Sequence, residues 1–336
     1  MKDWLANSWR GALISVTITF AGMFIASVVG GPAVLYCMLL GLALHFLSEN
    51  QTIRPGMDLC IGPVLRIGVA LLGVRITAEE LSHLTPMTLA VIVGGVFLTI
   101  LFSVLIRRIV GMGKADSALV GGSVAICGAS AAIALSLVMD KKKLHEQTLL
   151  AVLVVVTIIS TVVMVLYPLI LEFTPFSGSV AGLVLGGSIH DVSQVVGAGA
   201  MMGEEALATA TMTKMLRVAM LVPMIVIFAF AFKPDAETTD GQTPQKFNLL
   251  RVIPKFLVAF VILASLNVAG LIPQVVSSTL TQVSHFCVLV AIAALGMKTA
   301  ISKLRTVGVT VMYLMTLDTV FLFIWVLGGI WLAQSM

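Results

Sequence analysis

Apolar residues recur along this chain in runs of about twenty, separated by Gly, Pro and short charged clusters. A helix of that length matches the roughly 30 Å hydrocarbon core of a bilayer. The runs predict eleven membrane-spanning helices, at 11–29, 32–47, 57–73, 86–106, 117–139, 147–171, 177–200, 206–232, 253–271, 282–298 and 307–333. Residues 272–280, around Pro273, read as a short interfacial helix, and 234–246 as the one clearly polar loop. The fold class expected is an all-α polytopic membrane protein, with a single transmembrane domain over 1–336.

Short echoes suggest an internal duplication. Residues 40–45 (LGLALH) resemble 185–190 (LGGSIH), and 65–67 (LRI) resemble 216–218 (LRV). Together they predict one repeat over 32–171 and a second over 177–333, with helix 11–29 as an extra. A five-helix unit repeated once is inverted in the membrane because five is odd, and inverted repeats are a transporter signature. Two other echoes do not fit this register. Gly121-Gly122-Ser123-Val124 resembles Gly186-Gly187-Ser188-Ile189, and Leu72-Gly73-Val74-Arg75 resembles Leu295-Gly296-Met297-Lys298.

Charge adds an orientation. With the N-terminus inside, Lys2, Arg10, Arg54, Arg107, Arg108, Lys114, Lys233, Lys246, Arg251, Lys255, Lys298, Lys303 and Arg305 fall inside. Arg75, Lys141, Lys142 and Lys143 fall outside, and thirteen against four favours a cytoplasmic N-terminus. The 141–143 run opposes the rule, and a miscounted span in the first half would explain it. Composition agrees with a membrane protein: 59% hydrophobic, 11% charged, mean hydropathy +1.10. Cys37, Cys60, Cys127 and Cys287 lie in apolar segments without CxxC spacing, so neither a disulfide framework nor a zinc site is indicated. The first apolar run follows Lys2 and Arg10, is long for a signal peptide and precedes no A-x-A site, so it reads as a retained span.

Three stretches carry candidate chemistry. In 121–130 (GGSVAICGAS), three glycines and two serines interrupt a span. Unwound backbone inside a membrane is tolerated only against protein or a watery cavity, and a half-helix N-terminus suits an anion. Ser123, Cys127, Gly128 and Ser130 are the candidate ligands there; close helix packing is the bland alternative. The second stretch places His190, Asp191 and Gln194 among glycines. His190 and Gln194 share a helical face, and Asp191 or His190 suits a coupling ion; a polar contact between helices is the alternative. The third pairs Lys214 with Arg217, three apart in an apolar helix. Arg offers a planar fork for an oxyanion, and the alternative is ion pairing with Asp191, Glu204 or Glu205. Arg66 is a further candidate for the same cavity, whereas Asp318 is deep in its span with no partner to name.

The segments GGSVAICGASAAIAL, GGSIHDVSQVVGAGA and TKMLRVAMLVP, with LRIGVALLGVRIT and AALGMKT, resemble the signatures of the YeiH-type sulfate exporter family of bacterial inner-membrane proteins. Where that family shows H-[DE]-V-x-Q-V-V, this chain reads His190-Asp191-Val192-Ser193-Gln194-Val195-Val196. Asp318 departs from the family pattern. The resemblance implies a fold akin to sodium/proton antiporters and bile-acid sodium symporters, with two crossing broken helices and an elevator-like movement.

The expected function is a secondary transporter exporting a small oxyanion of the sulfite or sulfate class, coupled to H+ or Na+. Import of an organic anion, a sulfonate or carboxylate, would use the same chemistry. An intramembrane hydrolase with Ser130 as nucleophile and His190 as base is a third reading, and a channel a fourth. The partners expected are the anion, the coupling ion and membrane lipid, with no nucleic acid and no cofactor; a homodimer is an open option. The location expected is the bacterial inner membrane.

Overall fold

The computed structural model describes residues 2–30, 33–76, 84–140, 143–176, 178–232, 255–298 and 309–335. The expected polar loop 234–246, Lys141, Lys142, Lys233, Lys246, Arg251, Lys303 and Arg305 lie outside the described residues. The described residues are helical throughout, with no strand. In chain order the helices are α1 (Lys2–Val29), α2 (Ala33–Ala43), α3 (Arg54–Arg75), α4 (Pro86–Val110), α5 (Lys114–Ala125), α6 (Ala129–Ser136) and α7 (Glu146–Leu171). They continue as α8 (Gly178–Ser188), α9 (Val192–Met202), α10 (Glu204–Ala231), α11 (Lys255–Val268), α12 (Gln274–Lys298) and α13 (Val309–Ser335). Seven of them, α1, α3, α4, α7, α10, α12 and α13, are long and apolar enough to cross a membrane. The expected interfacial helix around Pro273 is instead the first turns of α12.

Four of the eleven expected spans hold no described helix long enough to cross a membrane: 32–47 and 253–271 hold the short α2 and α11, and 117–139 and 177–200 each fold back as a helical hairpin. In the first, Asp116 at the start of α5 accepts the backbone N–H of His145 at 3.1 Å and pairs with its Nδ1 at 2.7 Å, although His145 follows α6. Gly122 of α5 faces Leu135 of α6, so the arms lie antiparallel. In the second, Ser179 and Gly178 lie against Glu205, Gly182 against Ala206 and Gly186 against Ala210 and Thr213, so α8 runs parallel to α10. The return arm α9 runs antiparallel to α10, since Gly199 meets Leu207. At 1.5 Å per residue, the eleven residues of α8 reach about 16 Å, half a hydrocarbon core. Where the resemblance implies two crossing broken helices, the described residues form two helical hairpins.

Contacts at the two ends of the molecule give one consistent threading. The N-terminal end gathers Ser8 with Gly56, Asp58 with Lys298 at 2.5 Å, and Asp140 with Phe232. The far end gathers Arg75 with Glu204, Asn267 with Ile76, and Ser277 with Val74. The first hairpin enters from the N-terminal end and the second from the far end. Lys143, paired with Asp140 at 3.7 Å, is thus at the N-terminal end, and its clash with the charge rule disappears.

The helices form two groups. One holds α1, α2, α3, α11 and α12; the other holds α4, both hairpins, α7, α10 and α13. They meet mainly where α9 lies against α12 and α2. Small residues set the close approaches, since lipid supplies little drive to bring helices together. A Cβ on Gly186 would overlap Ala210 O and Thr213 Cβ. Gly186→Ala is expected to pry α8 from α10 and lower stability by about 1–3 kcal/mol. Thermal unfolding in detergent checks this, with Gly62→Ala, which has open space around it, as the control.

Candidate functional site

The hairpin tips, 126–128 and 189–191, meet in the middle of the molecule beside α10. Gly128 turns the first tip with φ +68° and ψ −131°, backbone that only glycine adopts at little cost. Its N–H bonds Ser123 O at 2.8 Å, and Ser123 Oγ returns a bond to Gly128 O at 3.0 Å. The position a Cβ of Gly128 would take is 3.9 Å from His190 Cβ, so the two tips touch. In the second tip Asp191 is the N-cap of α9, accepting from Ser193 N at 2.9 Å and Ser193 Oγ at 2.8 Å.

Lys214 and Arg217 are fully buried and hold both tips. Arg217 Nε and Nη2 donate to Ala125 O and Nη2 also to Val124 O; Nη1 donates to Gly186 O and Ile189 O, all at 2.7–3.1 Å. All five donors of the guanidinium are used. Lys214 Nζ bridges Ile126 O at 2.7 Å and Ile189 O at 2.9 Å. These carbonyls end α5 and α8, where half-helices carry about −0.5 charge each. Neither cation forms an ion pair among the described residues: Glu204 pairs with Arg75, and Glu205 bonds Ser179. Both cations cap helix ends here, an arrangement that the sequence reading did not consider beside its direct anion contact and its salt bridge.

A cavity of about 390 Å³ opens at the seam between the two helix groups. Of the candidate residues, Arg66, Cys127, Ser130, Asp191 and Gln194 line it. Ser123, Gly128, His190, Lys214 and Arg217 do not. Arg66 comes from α3, is exposed and makes no hydrogen bond or ion pair with a described residue. Just before it, α3 widens to a π-type turn at Cys60–Val64 around Pro63, which lacks an N–H. Gln194 Oε1 lies 2.9 Å from Ser193 Oγ, which can donate to it or to Asp191 but not both at once. Gly128, the N-cap of α6, offers no side chain, and the Cys127 thiol takes the Ala131 N–H, so the N–H groups of Ala129 and Ser130 are the ones left at the start of α6.

His190 Nε2 is 2.8 Å from Thr319 Oγ1, whose hydroxyl donates to Met315 O at 2.6 Å. The histidine therefore donates from Nε2, and its Nδ1 has no partner among the described residues. Sequence reasoning missed Thr319 and Ser160, whose Oγ accepts the Asp191 N–H at 3.2 Å. A single hydroxyl in an apolar helix gives no signal to find it by.

Two half-helix C-termini and two N-termini cancel, at about 0.5 charge each. Lys214, Arg217 and Asp191 then leave the tips with about one positive charge, and Arg66 adds another on the cavity wall.

A family model described as "Conserved hypothetical protein 698" matches residues 10–315. The chain is 43% identical over 329 residues to the UPF0324 membrane protein TauZ of Paracoccus pantotrophus, covering 97% of this chain and 96% of the relative. It is 43% identical over 326 residues to the protein of the same name in Paracoccus denitrificans, covering 96% and 95%. It is 38% identical over 321 residues to the UPF0324 membrane protein CT0845 of Chlorobaculum tepidum, covering 95% and 88%.

Proposed function

This chain belongs to the family described as Conserved hypothetical protein 698, a family of membrane proteins, and we propose that it is a secondary transporter for a small anion. The observation that carries this is the meeting of two hairpin tips in the middle of the molecule beside a cavity at the seam of two helix groups. Binding sites between inverted halves, at broken backbone, are a transporter device. The anion is of the sulfite or sulfate class, exported with H+ or Na+ coupling, in the bacterial inner membrane with the N-terminus cytoplasmic. Arg66, Ser130 and the open start of α6 contact it, with Cys127 and Gln194 on the wall. Lys214 and Arg217 act at one remove, locking the tips together and supplying positive charge. Alternating access is a movement of the locked hairpin group against the group holding α3 and α12.

The inverted duplication belongs to the same proposal, in permuted order. The first copy runs α2, α3, α4, first hairpin, α7; the second runs α11, α12, α13, second hairpin, α10. Each pair then has opposite direction. This register puts Gly121–Val124 opposite Gly186–Ile189 at the two tips and Leu72–Arg75 opposite Leu295–Lys298 at two helix ends. Those are the echoes that the unpermuted register could not place.

One observation favours a second reading. The cavity exceeds the size of an inorganic oxyanion, and Val69, Leu153, Val218 and Phe256 give it apolar walls. An organic anion, a sulfonate or carboxylate, would fill it better. Hydrolysis has less support, because His190 is engaged with Thr319 and makes no hydrogen bond to Ser130.

A ligand at about a hundred times its dissociation constant stabilises by about 2.7 kcal/mol. Thermal unfolding with sulfite, sulfate, sulfonates and carboxylates is expected to give such a shift for one class. Arg66→Ala should lose the shift while its ligand-free stability stays near wild type, since Arg66 is exposed and has no partner among the described residues. No shift with any anion in the wild type would sink the anion assignment.

A further inference from the structure

Asp318 lies inside α13 and is fully buried. Neither carboxyl oxygen receives a hydrogen bond from a described residue. The hydroxyl it faces, Ser103 Oγ of α4, gives its hydrogen to Ser117 O at 2.7 Å. With its hydrogen engaged there, Ser103 gives no hydrogen bond to Asp318. A carboxylate out of water with no donor is strongly disfavoured, and the neutral acid much less so. Thr99, one turn before Ser103, is also buried with an unpartnered Oγ1.

No cation on the elements packed against α13 neutralises this group. Helix α4 carries Arg107 and Arg108 only in its last turn, and α5 carries Lys114 and Asp116 only in its first. Helix α7 begins with Glu146 and presents Tyr167, whose ring stacks on Phe323. Helix α8 has no ionisable side chain. Next to Asp318, Thr319 holds His190 at the second hairpin tip, with Lys214 and Arg217 bonded to Ile189 O just before it.

We propose that Asp318 is the coupling-proton site: its carboxyl holds a proton here, releases it in another conformation, and so carries one proton in the same direction as each anion. This rests on the transport reading above, taken with an organic anion imported, since a proton moving with the anion runs inward down the proton gradient of a bacterial inner membrane. The charge balance gives the reason for coupling. With Asp318 protonated the tips keep their positive charge for the anion; ionising Asp318, next to the Thr319 that holds the second tip, reduces that charge. A sodium ion is served less well, because a metal cation needs a cage of oxygens and Asp318 faces only Ser103, with Thr99 a turn away.

The test compares wild type with Asp318→Asn, which keeps the shape of the neutral acid, in proteoliposomes. In wild type an inward proton gradient should drive uptake of the anion found by thermal shift and acidify the lumen. Asp318→Asn should lose both effects while anion-for-anion exchange continues. Proton-driven uptake that survives in Asp318→Asn overturns the proposal, as does uptake driven by sodium alone. If wild type moves no anion, the transport reading has failed, and infrared difference spectra still decide the proton site. A protonated-carboxyl band lost in Asp318→Asn and titrating with pH supports it; absence of that band overturns it.

Discussion

Arg217→Ala is expected to destabilise the protein by about 3–5 kcal/mol with no anion present, a cost typical of removing one partner from a buried charged network. The guanidinium ties Val124, Ala125, Gly186 and Ile189, residues from two hairpins entering from opposite ends. Its loss leaves buried carbonyls at two helix C-termini without donors, each worth about 1–3 kcal/mol. Ile189 O retains Lys214, so the collapse is not total. Arg217→Lys keeps the charge but has three donors in place of five, and should recover only part of the loss. Thermal unfolding in detergent reads this directly, as a fall on the order of 10 °C for Arg217→Ala. Wild-type stability in Arg217→Ala, with only an anion-dependent shift missing, would return Arg217 to the ligand-contacting role that its sequence position suggested.

A second large effect is topological and close to all-or-none. Single cysteines at Lys114 and Lys143, both exposed, flank the first hairpin. The hairpin puts both on the same side of the membrane, and a spanning helix would put them on opposite sides. An impermeant thiol reagent applied to right-side-out and inverted vesicles should label both from one side only. Labelling from opposite sides would mean that α5 and α6 cross the bilayer. The same pairing at Phe173 and Glu204, both exposed and both at the far end, tests the second hairpin.

The Lys141–Lys143 run was the legible trace of the first hairpin. On eleven spans it broke the charge rule, and folding 117–139 back brings Lys143 to the end where the rule wants it. Hydropathy could not reveal the hairpins, because an apolar run interrupted by glycine reads alike whether its second arm continues or returns. The Gly121–Ser130 and His190–Gln194 breaks were legible for a local reason: glycines and ionisable groups in hydrocarbon are rarely accidental. The role of Lys214 and Arg217 was not, because their partners are backbone carbonyls on two other helices, 25 to 93 residues away in sequence, and carbonyls leave no mark in a sequence.

The sequence by itself determined that this is a helical membrane protein, where its apolar elements lie, and which few residues break them. Those are consequences of local composition, which sets the cost of placing each stretch in lipid. Only the tertiary structure decided which elements run straight and which turn back, that two buried cations fasten the two tips, and that Arg66 rather than Arg217 faces the cavity. These depend on which distant chain segments satisfy each buried polar group, and in a medium without water that pairing is made between helices rather than along them.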